Sequence, residues 1–130
     1  MEDFDGRAAV INIGGADYPL IVTTRATKEI AKRYGGLENL GERLMKAENF
    51  ETALDEIVWL IALLANQAIM IQNFKNRDNQ SGQRALLSED EIELMTTPAD
   101  MFNFKNAITN AMFLGTKRTV ESEDDGEGKN

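Results

Sequence analysis

The chain has no cysteine, no histidine, two prolines and one tryptophan among its 130 residues. Without cysteine there is neither a disulfide nor a thiolate metal site. Without histidine no imidazole can act as general base, proton shuttle or metal ligand. Glycine-rich phosphate loops, nucleophile elbows and metal-ligand spacings are also missing from the sequence. The carboxylates that remain have structural explanations. Glu89-Asp90-Glu91 falls in a first helical turn, where acids complement the helix dipole. Asp124-Asp125 lies in an acidic tail, and Asp55-Glu56 is expected on the solvated face of a helix start. No catalytic residue, metal site or cofactor is therefore expected, and the protein reads as a non-enzyme. Basic charge is scarce as well: 14 Lys and Arg stand against 22 Asp and Glu, for a net charge of −8. Such a chain is a poor partner for phosphate backbones, so nucleic acid is not an expected ligand. The opening residues MEDFDGR are acidic and carry no apolar stretch of the secretory kind. A cytoplasmic location follows as an expectation.

What the sequence does have is one dominant apolar segment. Phe50 to Phe74 contains the run Ile57–Ala65, IVWLIALLA, nine residues without a polar side chain. The series Phe50, Leu54, Ile57, Ile61, Leu64, Ala68, Ile71 keeps helical spacing throughout, which predicts one long helix. A helix that is apolar all round must be covered on every side. Burial of its large side chains from Ile57 to Leu64 contributes roughly 10–20 kcal/mol. A membrane span needs about 20 apolar residues. This run is closed by Asp55-Glu56 at one end and Asn66-Gln67 at the other. A central core helix is the expectation, with no membrane partner.

The other segments read as its wrapping. Residues 8–24 predict a β-hairpin: Ala8–Ile13 and Tyr18–Val22 flank the turn composition Gly14-Gly15-Ala16-Asp17. Pro19 cannot donate to a ladder, so its strand is an edge or its nitrogen faces outward. Thr23-Thr24 caps a helix ending at Tyr34, with Gly35 as its stop and Ile30, Ala31 and Tyr34 inward. A short helix over residues 37–46 and an Asn49 cap on the central helix follow. Residues 76–84, NRDNQSGQR, predict an exposed, mobile loop. Ser88 and Glu91 form a capping box, with Leu87 and Ile92 as its staple. Thr97 then caps a last helix, with Pro98 at its first position, running to about Lys117. The expected fold is α+β, mostly α: an N-terminal β-hairpin packed on a bundle of about five helices around one long central helix. Residues 1–118 make one globular domain, and 119–130 are expected to be a disordered acidic tail.

The last helix carries the candidate site. Met101, Phe104, Ile108, Ala111, Met112 and Gly115 share a sector of about 100°, which is the inner face. Phe102 and Phe113 project together well away from it, with Asn106 and Thr109 between them. Two phenylalanines on an outer face are either a partner surface, with Asn106, or are covered by the hairpin or the first helix. Residues 27–44 imitate a helix-turn-helix, with Ala31 and Gly35 at the turn spacing. Its second helix, however, offers Glu38, Asn39, Glu42 and Arg43, an unfavourable charge sum for approach to phosphate.

The order of the pieces resembles the tail assembly chaperones of long-tailed bacteriophages and prophages. The resemblance rests on INIGGADYPLIVTTRATKEIAKRYGGLENLGERL (residues 11–44), ENFETALDEIVWLIALLANQAI (48–69) and LLSEDEIELMTTPADM (86–101), then Lys-Arg leading into an acidic tail. It implies a non-catalytic protein of the host cytoplasm that binds the tape-measure protein and helps recruit tail-tube subunits. It also implies possible self-association and absence from the mature virion. Many family members also yield a longer product by −1 frameshifting near the gene's end. Gly128-Lys129-Asn130 is compatible with the slippery codons GGA AAA AAC. The alternative functions are a structural head-tail or tail adaptor retained in the virion and, third, a helix-turn-helix regulator.

Overall fold

The fold is that of a computed structural model describing residues 8–36, Leu40 and residues 50–128, with side chains to Gly115. Strands β1 (Ala9–Ile13) and β2 (Ala16–Leu20) form an antiparallel hairpin. The helices are α1 (Thr24–Tyr34), α2 (Phe50–Lys75), α3 (Glu89–Met95) and α4 (Pro98–Gly128). The expected α+β class therefore holds, as a hairpin packed on a mostly helical core. Four α-helices are described. The short helix expected over 37–46 lies outside the described residues, except that Leu40 is helical and buried. The Asn49 cap and the second half of the helix-turn-helix look-alike also lie outside them.

The hairpin turn is tighter than its composition suggested. Only Gly14 and Gly15 form it, with φ of 60° and 88°, while Ala16 and Asp17 belong to β2. Two consecutive positive φ values define the turn whose twist matches paired strands, and glycine adopts them without steric cost. Asn12 donates to Asp17 Oδ1 at 2.9 Å and accepts from Gly15 N–H at 3.2 Å, pinning the turn from the side. From the closing pair Ile13–Ala16, alternation puts Val10–Pro19 at a non-hydrogen-bonded position. The missing Pro19 N–H thus removes nothing from the ladder. Ile11, Ile13 and Leu20 point inward, and Val10 and Asn12 point outward.

β2, α1, α3 and α4 all pack on α2. Its Ile57, Val58, Leu60, Ile61, Leu64 and Ala65 are buried in one core with Leu20, Ile30, Ile92, Phe104 and Ile108. Phe50, at the start of the expected series, is exposed. By length and composition α2 could cross a membrane, its most apolar 18-residue window having mean hydropathy 1.7, but 61% of that window is buried inside the fold. The polar pair that ends the apolar run does structural work. Asn66 donates to Leu87 C=O at 2.9 Å and accepts from Leu87 N–H at 2.7 Å, fixing the chain ahead of α3. Buried Gln67 accepts from Thr23 Oγ1 at 2.5 Å and donates to Leu63 C=O at 3.1 Å. Thr23 in turn accepts from Ala26 N–H as the cap of α1, so the start of that helix is tied to the middle of α2.

Gly35, at φ 86°, ends α1 and donates to Ala31 C=O. The inner face of α1 is Ala26, Ile30 and Tyr34, and Ala31 is exposed rather than inward: the buried residues recur every fourth position, and Ala31 is one step off that row. Residues 76–84 are exposed as expected, apart from half-buried Gly82, but they are tied to the end of α2. Asn73 makes two hydrogen bonds with the Arg84 backbone, and the Gln83 amide donates to Asn73 and Asn76 carbonyls. Ser88 and Glu91 make both bonds of the capping box, above buried Leu87 and Ile92. Thr97 and Asp100 repeat that reciprocal pattern at α4. α4 does not stop near Lys117: its helical backbone continues as far as Gly128. Between Gly115 and Gly126 the sequence has neither glycine nor proline to interrupt a helix.

Candidate interaction surface

The inner face of α4 is the expected one. Met101, Phe104, Ile108 and Ala111 are buried, and Met112 and Gly115 are half-buried. Gly115 lies beside Val22: a Cβ there would come within 3.2 Å of Val22 Cβ, so the helix and the chain leaving β2 approach closely. That packing fixes which side of α4 remains outward. Phe102 and Phe113 are each 60% exposed. Eleven residues apart, they lie within about 20° of one another around the helix and about 16 Å apart along it. Asn106 is also exposed.

The surroundings divide the three residues. A groove of about 490 Å³ runs between the start of β1 and α4. Asn106 and Phe113 line it, with Val10, Asn103, Asn110 and Leu114. Phe102 is not part of the lining and extends the same face toward the start of α4. The groove offers apolar contacts from Val10, Phe113 and Leu114 and hydrogen-bonding amides from the three asparagines. Such a lining suits the side of a mixed polar–apolar polypeptide better than a charged ligand. The hairpin side of this groove was not legible in the sequence, because nothing local to Ala8–Val10 says which helix it lies against.

Glu56 departs from the expected solvated face. It is buried, and its carboxylate accepts a hydrogen bond from Tyr34 Oη and one from Arg33 Nε at 3.4 Å. The Arg33 guanidinium lies 4.3 Å from the centre of the Trp59 ring, and Tyr34 meets the same ring edge-on at 6.0 Å. Burial, followed by the hydrogen bond to Glu56, pushes the Tyr34 phenol up to about 12. This cluster joins α1 to α2. The signal in the sequence was faint: Arg33-Tyr34 at the end of α1 complements one acid of the Asp55-Glu56 pair, but which acid turns inward depends on the rotation of α2. Among the described residues no group of three or more acids could hold a metal ion. No protein-family model, curated protein or solved structure matches the chain.

Proposed function

We propose that this protein is a non-catalytic assembly chaperone of long phage tails. In this reading it binds the tape-measure protein, keeps it soluble while tail-tube subunits are recruited, and is left out of the finished particle. The observation that carries the reading is the outer face of α4, where Phe102 and Phe113 are largely exposed, in line with Asn106 beside the groove. The segment order that resembles such chaperones supports it. A holdase of this kind needs apolar contact area on a rigid element and an acidic surface for solubility, and the net charge of −8 supplies the second. Covering the exposed part of each ring, about 120 Å², contributes about 3 kcal/mol per ring before the entropic cost of association. The 16 Å spacing equals about three turns of a partner helix lying alongside. That geometry suits a long helical polypeptide, and repeated weak sites along such a partner would add through multivalency.

Protein composition of purified particles tests the proposal. A chaperone is present in infected cells and missing from mature virions. A fixed copy number in virions would replace this reading with that of a structural adaptor.

A further inference from the structure

A second concavity lies where the first turns of α2 meet the junction between α3 and α4. Its volume is about 290 Å³. Leu54, Val58 and Met101 give it an apolar floor, with Val58 and Met101 buried and Leu54 half-buried. Glu51, Asp55 and Glu93 also line it and are exposed, so their carboxylates stand at the rim. Among the described residues none of the three belongs to an ion pair. The lining comes from residues 51–58 of α2 and residues 93–101, and neither stretch contains a lysine or an arginine. An apolar floor beneath three carboxylates concentrates negative potential over a low-dielectric surface.

We infer that this cleft docks an amphipathic helix of a partner protein, one that inserts a large apolar side chain and flanks it with lysine or arginine. The spacing of the rim favours a helix. Glu51 and Asp55 lie one turn apart on α2, about 6 Å along the axis, the interval at which a second helix presents its own residues four apart. Glu93 faces them from α3, so basic groups on both sides of the anchor would find partners. The volume is that of one or two apolar side chains, and is small for an enclosed small-molecule site. Helix-in-groove recognition of this kind takes its affinity from the anchor and its orientation and rate from the charges. The inference goes beyond the chaperone reading and does not rest on it, since the cleft shares no residue with the face of Phe102, Asn106 and Phe113.

The test uses the full chain and three synthetic peptides: a leucine–lysine amphipathic helix, a serine–lysine peptide of equal charge, and a leucine–glutamate helix. Fluorescence anisotropy should show the leucine–lysine helix binding, with the other two weaker by on the order of tenfold or more. Glu51→Lys, Asp55→Lys and Glu93→Lys together should weaken it by a similar factor, because rim pairs become repulsive. Asp17→Lys, Glu29→Lys and Asp78→Lys change the net charge equally at sites outside the cleft, and should leave most of the affinity intact. On the unaltered protein, NMR should place the largest methyl shifts at Leu54, Val58 and Met101, a readout that needs no variant. Failure of the leucine–lysine helix to bind overturns the inference. So does equal binding of the serine–lysine peptide, an equal loss in both charge-reversed proteins, or methyl shifts centred elsewhere.

Discussion

The cluster joining α1 to α2 makes an unequal prediction for its members. Arg33 Nε and Glu56 Oε1 are 3.4 Å apart, and the carboxylate side chain is only 9% exposed while that of Arg33 is 37% exposed. At that distance the bare attraction is about 5 kcal/mol for an effective dielectric constant of about 20. Desolvation of the carboxylate and water at the guanidinium offset much of it. The larger penalty comes from stranding the buried charge. Arg33→Met keeps apolar packing against Trp59 but takes the Arg33 cation from the buried carboxylate, which should cost about 1.5–3 kcal/mol. Tyr34→Phe removes a buried donor to a charged acceptor and should cost about the same. Glu56→Gln strands no charge and still offers Tyr34 an oxygen, so about 0.5–1.5 kcal/mol is expected. The double variant Arg33→Met with Glu56→Gln should then be more stable than Arg33→Met alone. Urea unfolding followed by fluorescence of Trp59, the single tryptophan and itself part of the cluster, measures all four. If Glu56→Gln is the costliest variant, or if the double variant is less stable than Arg33→Met, the reasoning is refuted.

Alkaline unfolding should carry the signature of Tyr34. Its phenol sits near 12 in the folded chain against about 10 unfolded, so its contribution is whole below pH 10 and is lost as pH rises from 10 through 12. Tyr34→Phe should lack that part of the stability curve. Leu64→Ala, at a fully buried position of α2, should cost about 2–5 kcal/mol in the same urea assay. Asn66→Ala leaves both backbone groups of Leu87 without their amide partner, and a loss of about 1–3 kcal/mol is expected there. Gly14→Ala places a side chain at φ 60°, with its Cβ only 2.7 Å from Met95 Cε. A loss of about 1–2 kcal/mol is expected, read as a lower thermal midpoint.

The parts of the fold legible in the sequence are those fixed by local chemistry. Ser88 with Glu91, Thr97 with Asp100 and Thr23 with Gly35 announce helix ends because capping bonds span only three or four residues. The run from Ile57 announces the core because an all-apolar helix has nowhere else to go. What stayed hidden depended on the packing of distant segments. Glu56 is inward and Asp55 outward because of how α2 is rotated against α1, and adjacent acids look alike in sequence. Asn66 and Gln67 read as the polar end of an apolar run, although each reaches a backbone or side chain far along the chain. The end of α4 was hard to read because residues 116–125 hold no helix breaker while their acidic composition argues for an earlier stop. At the candidate surface, the helical wheel showed the outward direction of Phe102, Asn106 and Phe113. The groove beside two of them required knowing that β1 lies along α4.

The most direct test of the central claim is the soluble fraction of the tape-measure protein when it is co-expressed with this chain. The account predicts soluble tape-measure protein that co-purifies with the unaltered chain. It predicts loss of both properties when Phe102 and Phe113 are replaced together by serine in a protein that keeps its helical circular dichroism. Tape-measure protein that is equally soluble with and without this chain would contradict the chaperone reading. Co-purification that survives the double replacement would contradict the assignment of the α4 face.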